Sequence, residues 1–250
     1  MKKFIKHNRA QILFIFILFL GIGLLMKTNL FYFNANIFAN IKAPPYNGLT
    51  LPIKKVPNWM SLSPDQWKLN YNSIPTDKLI PLPIYNPTDL AKNFESLNLN
   101  TVEGKKIRNE QLTYPVPYMG DYKLDGIEYA GSHLAVDIKT PIGSPVYAIG
   151  NGVVVKVSHQ VSGFGTHICL RHDNFPSFDN PNLKATYYSC YNHLSETLVN
   201  EGQIVKKGEL IAKSGETGTA TTPHLHFQID KSTAPWHPYW PFTTAEANAA

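Results

Sequence analysis

The hydrophobic and polar positions divide the chain into three stretches. Residues 10–26 read AQILFIFILFLGIGLLM, apolar on every side. A helix there has no face to turn to water, which predicts a membrane segment rather than a packed globular helix. Between 41 and about 111 no period holds. Pro44, Pro45, Pro52, Pro57, Pro64, Pro75, Pro81, Pro83 and Pro87 recur among Asn, Lys and aromatic residues, each removing a backbone donor and disfavouring helix in the residue before it. Two short helical pieces are predicted: one opening at Ser63-Pro64-Asp65-Gln66, with a serine cap and proline in the first helical position, and one over 88–97. From Tyr114 onward, short β-branched runs alternate with glycine and proline. Strands are predicted at 146–149, 152–158, 166–172, 186–193, 209–213 and 225–229, with turns at Gly150-Asn151-Gly152, Gly163-Phe164-Gly165 and Lys207-Gly208. No run from 114 to 230 combines helical period with helical length. The fold class is therefore mainly β, an antiparallel sheet domain preceded by a transmembrane helix and a proline-rich segment.

Charge sharpens the first stretch. Lys2, Lys3, Lys6, Arg9, Lys27 and Lys42 stand in the first 50 residues with no acidic residue among them, and the remainder carries 17 basic and 18 acidic side chains. The net charge of +5 thus belongs to the N-terminus, and the nearly neutral remainder argues against a nucleic-acid-binding globule. As a helix, 10–26 is about 25 Å long, close to the hydrocarbon thickness of a bilayer. The basic cluster before it should stay in the cytoplasm and leave the rest outside. A cleaved signal peptide is the competing reading, but its best cleavage pattern, Ile37-Phe38-Ala39, lies well past Met26. The expected layout is a cytoplasmic tail and anchor (1–29), a proline-rich extracytoplasmic linker (30–111), a β domain (112–242) and a flexible tail (243–250). Trp59, Trp67, Tyr71 and Phe94 supply aromatic surface for a second reading of the linker, as a lid over the cleft of the β domain.

Two cysteines exclude a disulfide-dense scaffold and any four-cysteine metal cluster. Cys169 and Cys190 fall opposite each other if their two strands form a simple hairpin, and both a disulfide and two buried apolar thiols suit that position. The chemistry lies in histidine and aspartate. His133 and Asp137 form an H-x3-D pair in GSHLAVDIK, His224 and His226 an H-x-H pair in TTPHLHFQI, and His193 closes TYYSCYNH. Along a straight strand, Cα atoms four residues apart are separated by about 13 Å, so His133 must precede the strand beginning near Ala135, on a bend that Gly131-Ser132 permits. In H-x-H, period two turns both imidazoles to one side and Leu225 to the other. Spacing does not say which of those two would ligate an ion. His159, His167, His172 and His237 read as surface, strand-edge or packing residues, and His7 as part of the basic flank.

Taken in order, H-x3-D, Gly-x-Pro-Val-Tyr-Ala, Gly-Val-Val-Val, the Tyr-rich strand ending in His, Val-x-x-Gly-x-x-Val-x-x-Gly and Gly-x-Thr-Gly followed by Pro-His-Leu-His-Phe make residues 114–230 resemble the lysostaphin-type (LytM-like) zinc endopeptidases of bacterial cell walls. The resemblance implies a duplicated-hybrid-motif β fold, Zn2+ held by His133, Asp137 and His226, and catalytic roles for His193 and His224. It implies the peptide part of peptidoglycan as substrate, reached from a single-pass anchor on the extracytoplasmic side of the cell membrane. Some members of the family are latent, with a preceding segment on the metal. Two positions depart from the family pattern: Ala135 replaces glycine in H-x-G-x-D, and Gln228 replaces glutamate after His-Leu-His-Phe. The segment Trp236-His237-Pro238-Tyr239-Trp240-Pro241-Phe242 lies outside the core motif and reads as an aromatic flap packed on the domain. Three rivals remain. One is a LytM-fold regulator without activity, which would lack some of the ligands that this chain has. The second is a biotin- or lipoyl-type carrier sharing Val-x-x-Gly-x-x-Val-x-x-Gly, which export disfavours. The third is a D-Ala-D-Ala-type zinc peptidase, whose His-to-Asp spacing is wider.

Overall fold

A computed structural model describes residues 38, 40–86, 112–120, 124–127 and 131–250. The expected anchor over 10–26, His7 and the helix expected over 88–97 lie outside the described residues. Among the described residues, no helix is long and apolar enough to cross a membrane. The chain divides into two compact units, Met1–Lys42 and Ala43–Ala250, and the strands and helices below belong to the second.

Two short strands, β1 (Lys55–Pro57) and β2 (Leu79–Pro81), pair antiparallel. The β domain follows as β3 (Ala135–Lys139), β4 (Pro145–Tyr147), β5 (Gly152–His159), β6 (Thr166–Pro176), β7 (Lys184–Asn192), β8 (Leu194–Thr197), β9 (Ile204–Val205), β10 (Leu210–Ser214) and β11 (His224–Lys231). A six-stranded sheet runs β3-β11-β7-β6-β5-β9, and a three-stranded sheet runs β4-β10-β8. The named pairings in both are antiparallel. β11 alternates strictly: Leu225 and Phe227 turn to the core, while His224, His226, Gln228 and Asp230 take the opposite face. The core joins the two sheets through Ile168, Leu170, Tyr191, Leu194, Ile211 and Leu225, each fully buried. At roughly 1.5–3 kcal/mol for each large apolar side chain removed from water, this layer holds the two sheets together.

Two expectations change here, and one open alternative is decided. Residues 43–86 are not a linker, because Ile53, Val56 and Leu82 belong to the same core cluster as the β domain. Backbone bonds from Thr50 N to Ile149 O (2.8 Å), from Tyr147 N to Pro52 O (2.8 Å) and from Tyr71 N to Ile142 O (2.9 Å) fix that segment to the domain. Prolines that forbid regular structure do not forbid burial, since Pro52, Pro57 and Pro81 each adjoin an apolar side chain of the core. The piece expected at Ser63 is present as a short 3-10 helix, Pro64–Lys68. Nor is 243–250 a featureless tail. Thr243 caps the helix α1 (Thr244–Ala249) by accepting from Glu246 N, and Ala247 packs with Leu124, Leu134, Ala234 and Tyr239. Finally, Cys169 and Cys190 are cross-strand partners on β6 and β7 and form a disulfide, with no free cysteine remaining. Closing a loop of this length is worth about 3 kcal/mol on chain-entropy grounds.

Candidate metal centre

Asp137 on β3 and His226 on β11 are directly opposed in the antiparallel register, so their side chains emerge side by side. His133 arrives from the bend before β3. Its carbonyl accepts from Met119 N (2.8 Å), and residues 113–119 run beside β3 through Asp137 N to Val116 O (3.1 Å) and Lys139 N to Thr113 O (2.8 Å). The bend needs glycine at 131, where a Cβ would stand 2.3 Å from the Gly120 carbonyl oxygen. The outcome is a tight triangle. His133 Nε2 lies 3.1 Å from Asp137 Oδ1 and 3.2 Å from His226 Nδ1, and the latter lies 3.2 Å from Asp137 Oδ1. All three residues are buried.

Hydrogen bonds behind the triangle fix the tautomers. His133 Nδ1 donates to Pro117 O (3.0 Å), which leaves Nε2 as a bare lone pair. His226 Nε2 donates to Gln228 Oε1 (3.2 Å), which leaves Nδ1 bare. Two lone pairs and a carboxylate oxygen therefore converge, an arrangement that a cation stabilises and that is repulsive without one. A tetrahedral ion with bonds of about 2.0–2.1 Å spaces its ligand atoms about 3.3 Å apart, close to the observed triangle. The donor set fits a divalent metal of the zinc type.

Two further imidazoles stand beside it. His193 follows β7 with φ 60°. Asn192 lies opposite His226, so regular alternation would send His193 to the core; the left-handed turn instead brings its ring 4.7 Å from that of His224 and 5.7 Å from that of His226. His193 Nδ1 donates to Thr217 O and His224 Nδ1 to Thr222 O, both at 2.7 Å, so each has Nε2 left for chemistry. His224 Nε2 is 3.6 Å from Asp137 Oδ2. The 163–166 turn locks the same loop, with Gly163 N donating to Thr219 Oγ1 (2.8 Å) and Thr166 N to Thr217 Oγ1 (2.9 Å). Phe164, at its tip, packs edge-on against His226 and Trp240 at 5.6 and 6.1 Å.

Burial would raise the Asp137 carboxyl, but the neighbouring imidazoles of His224, His133 and His226 hold it well below the usual carboxylate range. Burial lowers His226, with Asp137 opposing. Burial, followed by the neighbouring His224 and His226, pushes His193 down to about 3, so it is an unprotonated acceptor at neutral pH.

Residues 131–238 match peptidase family M23. The chain carries an M23 peptidase domain. Among relatives, an uncharacterized metalloprotease of Haemophilus influenzae is 44% identical over 97 residues, which is 39% of this chain and 18% of that protein. The peptidoglycan DD-endopeptidase ShyB of Vibrio cholerae is 39% identical over 98 residues, covering 39% of this chain and 20% of that one. Lysostaphin of Staphylococcus simulans is 39% identical over 109 residues, 44% and 20% respectively. The chain thus spans about a fifth of the length of these relatives. The solved catalytic domain of lysostaphin aligns at 34% identity over 48% of this chain and 77% of that one, with a TM-score of 0.35, too low to add to the fold assignment.

The M23 domain brings together the five residues singled out in its sequence. Its supporting groups, the carbonyls of Pro117, Thr217 and Thr222, escape sequence reading because every residue has a carbonyl and only the fold aims it. Gln228 was legible as a departure, but its partners Asp230 and Tyr239 were not.

Proposed function

We propose that the chain is a membrane-anchored, extracytoplasmic zinc metalloendopeptidase that hydrolyses peptide cross-links of peptidoglycan, with His133, Asp137 and His226 as zinc ligands and His193 and His224 as catalytic residues. The reading rests on one observation: three hydrogen-free ligand atoms within 3.1–3.2 Å of one another, flanked by two imidazoles whose Nδ1 atoms are already engaged. The names of the DD-endopeptidase and lysostaphin relatives support the substrate. The all-apolar run 10–26 behind a basic cluster supports the anchor.

Zinc held by these ligands supplies Lewis-acid activation of a water molecule and of the scissile carbonyl. His193, neutral and fixed by Thr217, takes the proton of the attacking water. His224, whose Nε2 lies 3.6 Å from Asp137 Oδ2, stabilises the developing oxyanion and protonates the leaving amine. Phe164 and Trp240 wall the site and exclude solvent from its His226 side.

The test uses the full-length protein: zinc content, and mass spectrometry of fragments released from purified peptidoglycan. His133→Ala or His226→Ala should abolish both zinc binding and cleavage, whereas His193→Ala should keep zinc and lose cleavage by a factor of at least about 100. Undiminished cleavage by metal-free His133→Ala protein would end the proposal. Stoichiometric zinc without cleavage by the unaltered chain would favour the regulator instead.

A further inference from the structure

A buried polar chain runs from the metal centre along β11 into the C-terminal segment, and no catalytic role explains it. Gln228 is 1% exposed. Its amide nitrogen donates to Asp230 Oδ1 (2.6 Å) and to Tyr239 O (2.7 Å). Both of its hydrogens are spent on acceptors, so the amide cannot be turned over, and Oε1 must face His226 Nε2 at 3.2 Å. An oxygen in that place requires the hydrogen of His226 on Nε2, which puts the lone pair on Nδ1, the corner of the ligand triangle. Asp230 is also 1% exposed. Its second oxygen accepts from His237 Nδ1 (3.0 Å) and Tyr239 N (3.1 Å), and the His237 ring stacks on Tyr188 at 3.7 Å. Ligand, amide, carboxylate and residues 237–239 are thus one connected assembly.

We infer that Gln228, held by Asp230 and the Tyr239 carbonyl, is a positioning residue that selects the metal-ligating tautomer of His226, so that residues 237–239 set the affinity of the metal centre. The side chain at 228 must be an amide because Asp230 stands 2.6 Å away. A glutamate there would meet Asp230 Oδ1 and Tyr239 O, two acceptors, with nothing to donate. Glutamate becomes acceptable only when Asp230 gives way to an amide that donates in return. This inference rests on the metal-centre reading above.

The full-length protein and the variants Gln228→Met, Gln228→Glu and Gln228→Glu/Asp230→Asn are titrated with Zn2+ against a chromophoric chelator and with Co2+ followed by its visible absorption. Both single variants should bind Zn2+ about 10–100-fold more weakly and alter the Co2+ bands, while the double variant recovers most of what Gln228→Glu loses. Wild-type affinity with an unchanged Co2+ spectrum in either single variant overturns the inference, as does a double variant weaker than Gln228→Glu. An unaltered protein that takes up neither ion overturns the metal-centre reading itself, and this inference with it.

Discussion

His193 pays for its position. At φ 60° it occupies the left-handed region, which costs a non-glycine residue roughly 1 kcal/mol. The cost turns an imidazole that alternation assigns to the core toward His224 instead. Counting by two along TYYSCYN places Asn192 correctly and His193 wrongly; only the resemblance to a family put His193 in the site. Its orientation hangs on Thr217, and Thr217 on a close approach by Gly165, where a Cβ would stand 2.5 Å from the Thr217 carbonyl carbon and oxygen. Gly165 also has φ +64°, so Gly165→Ala is strained in conformation as well as in space. This variant should retain zinc within a few-fold while cleavage falls by at least about tenfold. Parallel measurement of zinc content and turnover checks it, and equal losses of both would show that the loop does not act through His193.

Strands were easier to read than their faces. The runs expected at 152–158, 166–172 and 186–193 correspond to β5, β6 and β7, whose observed ends differ by up to four residues. On β11, alternation marks the odd-numbered positions as core and the even-numbered ones as a polar face, and the strand keeps those faces although burial does not follow them throughout. Toward its end Ile229 is 37% exposed while Asp230 is 1% exposed, because residues 237–239 cover the polar side. The same burial of polar groups ties β6 to its neighbours: His172 Nδ1 donates to Asn151 O (2.8 Å), and Nε2 accepts from Ser189 Oγ (2.7 Å). Burial pushes this imidazole down to about 4. Between that value and the unfolded value of about 6.5, the unfolded chain binds a proton that the native one does not, so stability rises with pH and is lost on acidification through this window. For the metal-free protein, His172 should account for about 2 kcal/mol of stability lost between about pH 7 and pH 5. Urea unfolding at both pH values, with His172→Gln giving the shallower dependence, tests this; identical dependence in the two proteins would remove His172 as the cause.

Across the whole molecule, the boundary expected at 112 falls in the wrong place. The second compact unit begins at Ala43, and three of its N-terminal apolar side chains, Ile53, Val56 and Leu82, complete the core between the sheets. Trp59 lies under the Lys139 ammonium, 4.0 Å from its ring centre; with Trp67, Lys139 and Pro223 it lines a pocket of about 40 Å³ to which none of the five site residues contributes. A chain beginning at residue 112 should therefore be far less stable than one beginning at 43. Losing three buried aliphatic side chains at about 2–4 kcal/mol each exceeds much of the 5–15 kcal/mol that holds a typical domain folded. Thermal unfolding of the two fragments decides it: a cooperative transition at the same temperature in both would show that 43–86 is dispensable after all.

Chemistry and architecture were legible in different measure. Residue types, their order and their spacing were enough to identify the mainly β domain and the near-neutral charge of everything after the N-terminus, and the family resemblance they carry pointed to the five candidate site residues, because alternation and motif spacing are local properties of the chain. Folding alone decided that Asp137 and His226 meet in register, that prolines 52, 57 and 81 flank buried aliphatic side chains, that the two cysteines are bonded, and that an amide at 228 needs a carboxylate at 230 and a carbonyl at 239. Those are contacts between groups distant in sequence or made through the backbone, and neither leaves a mark in the order of the residues.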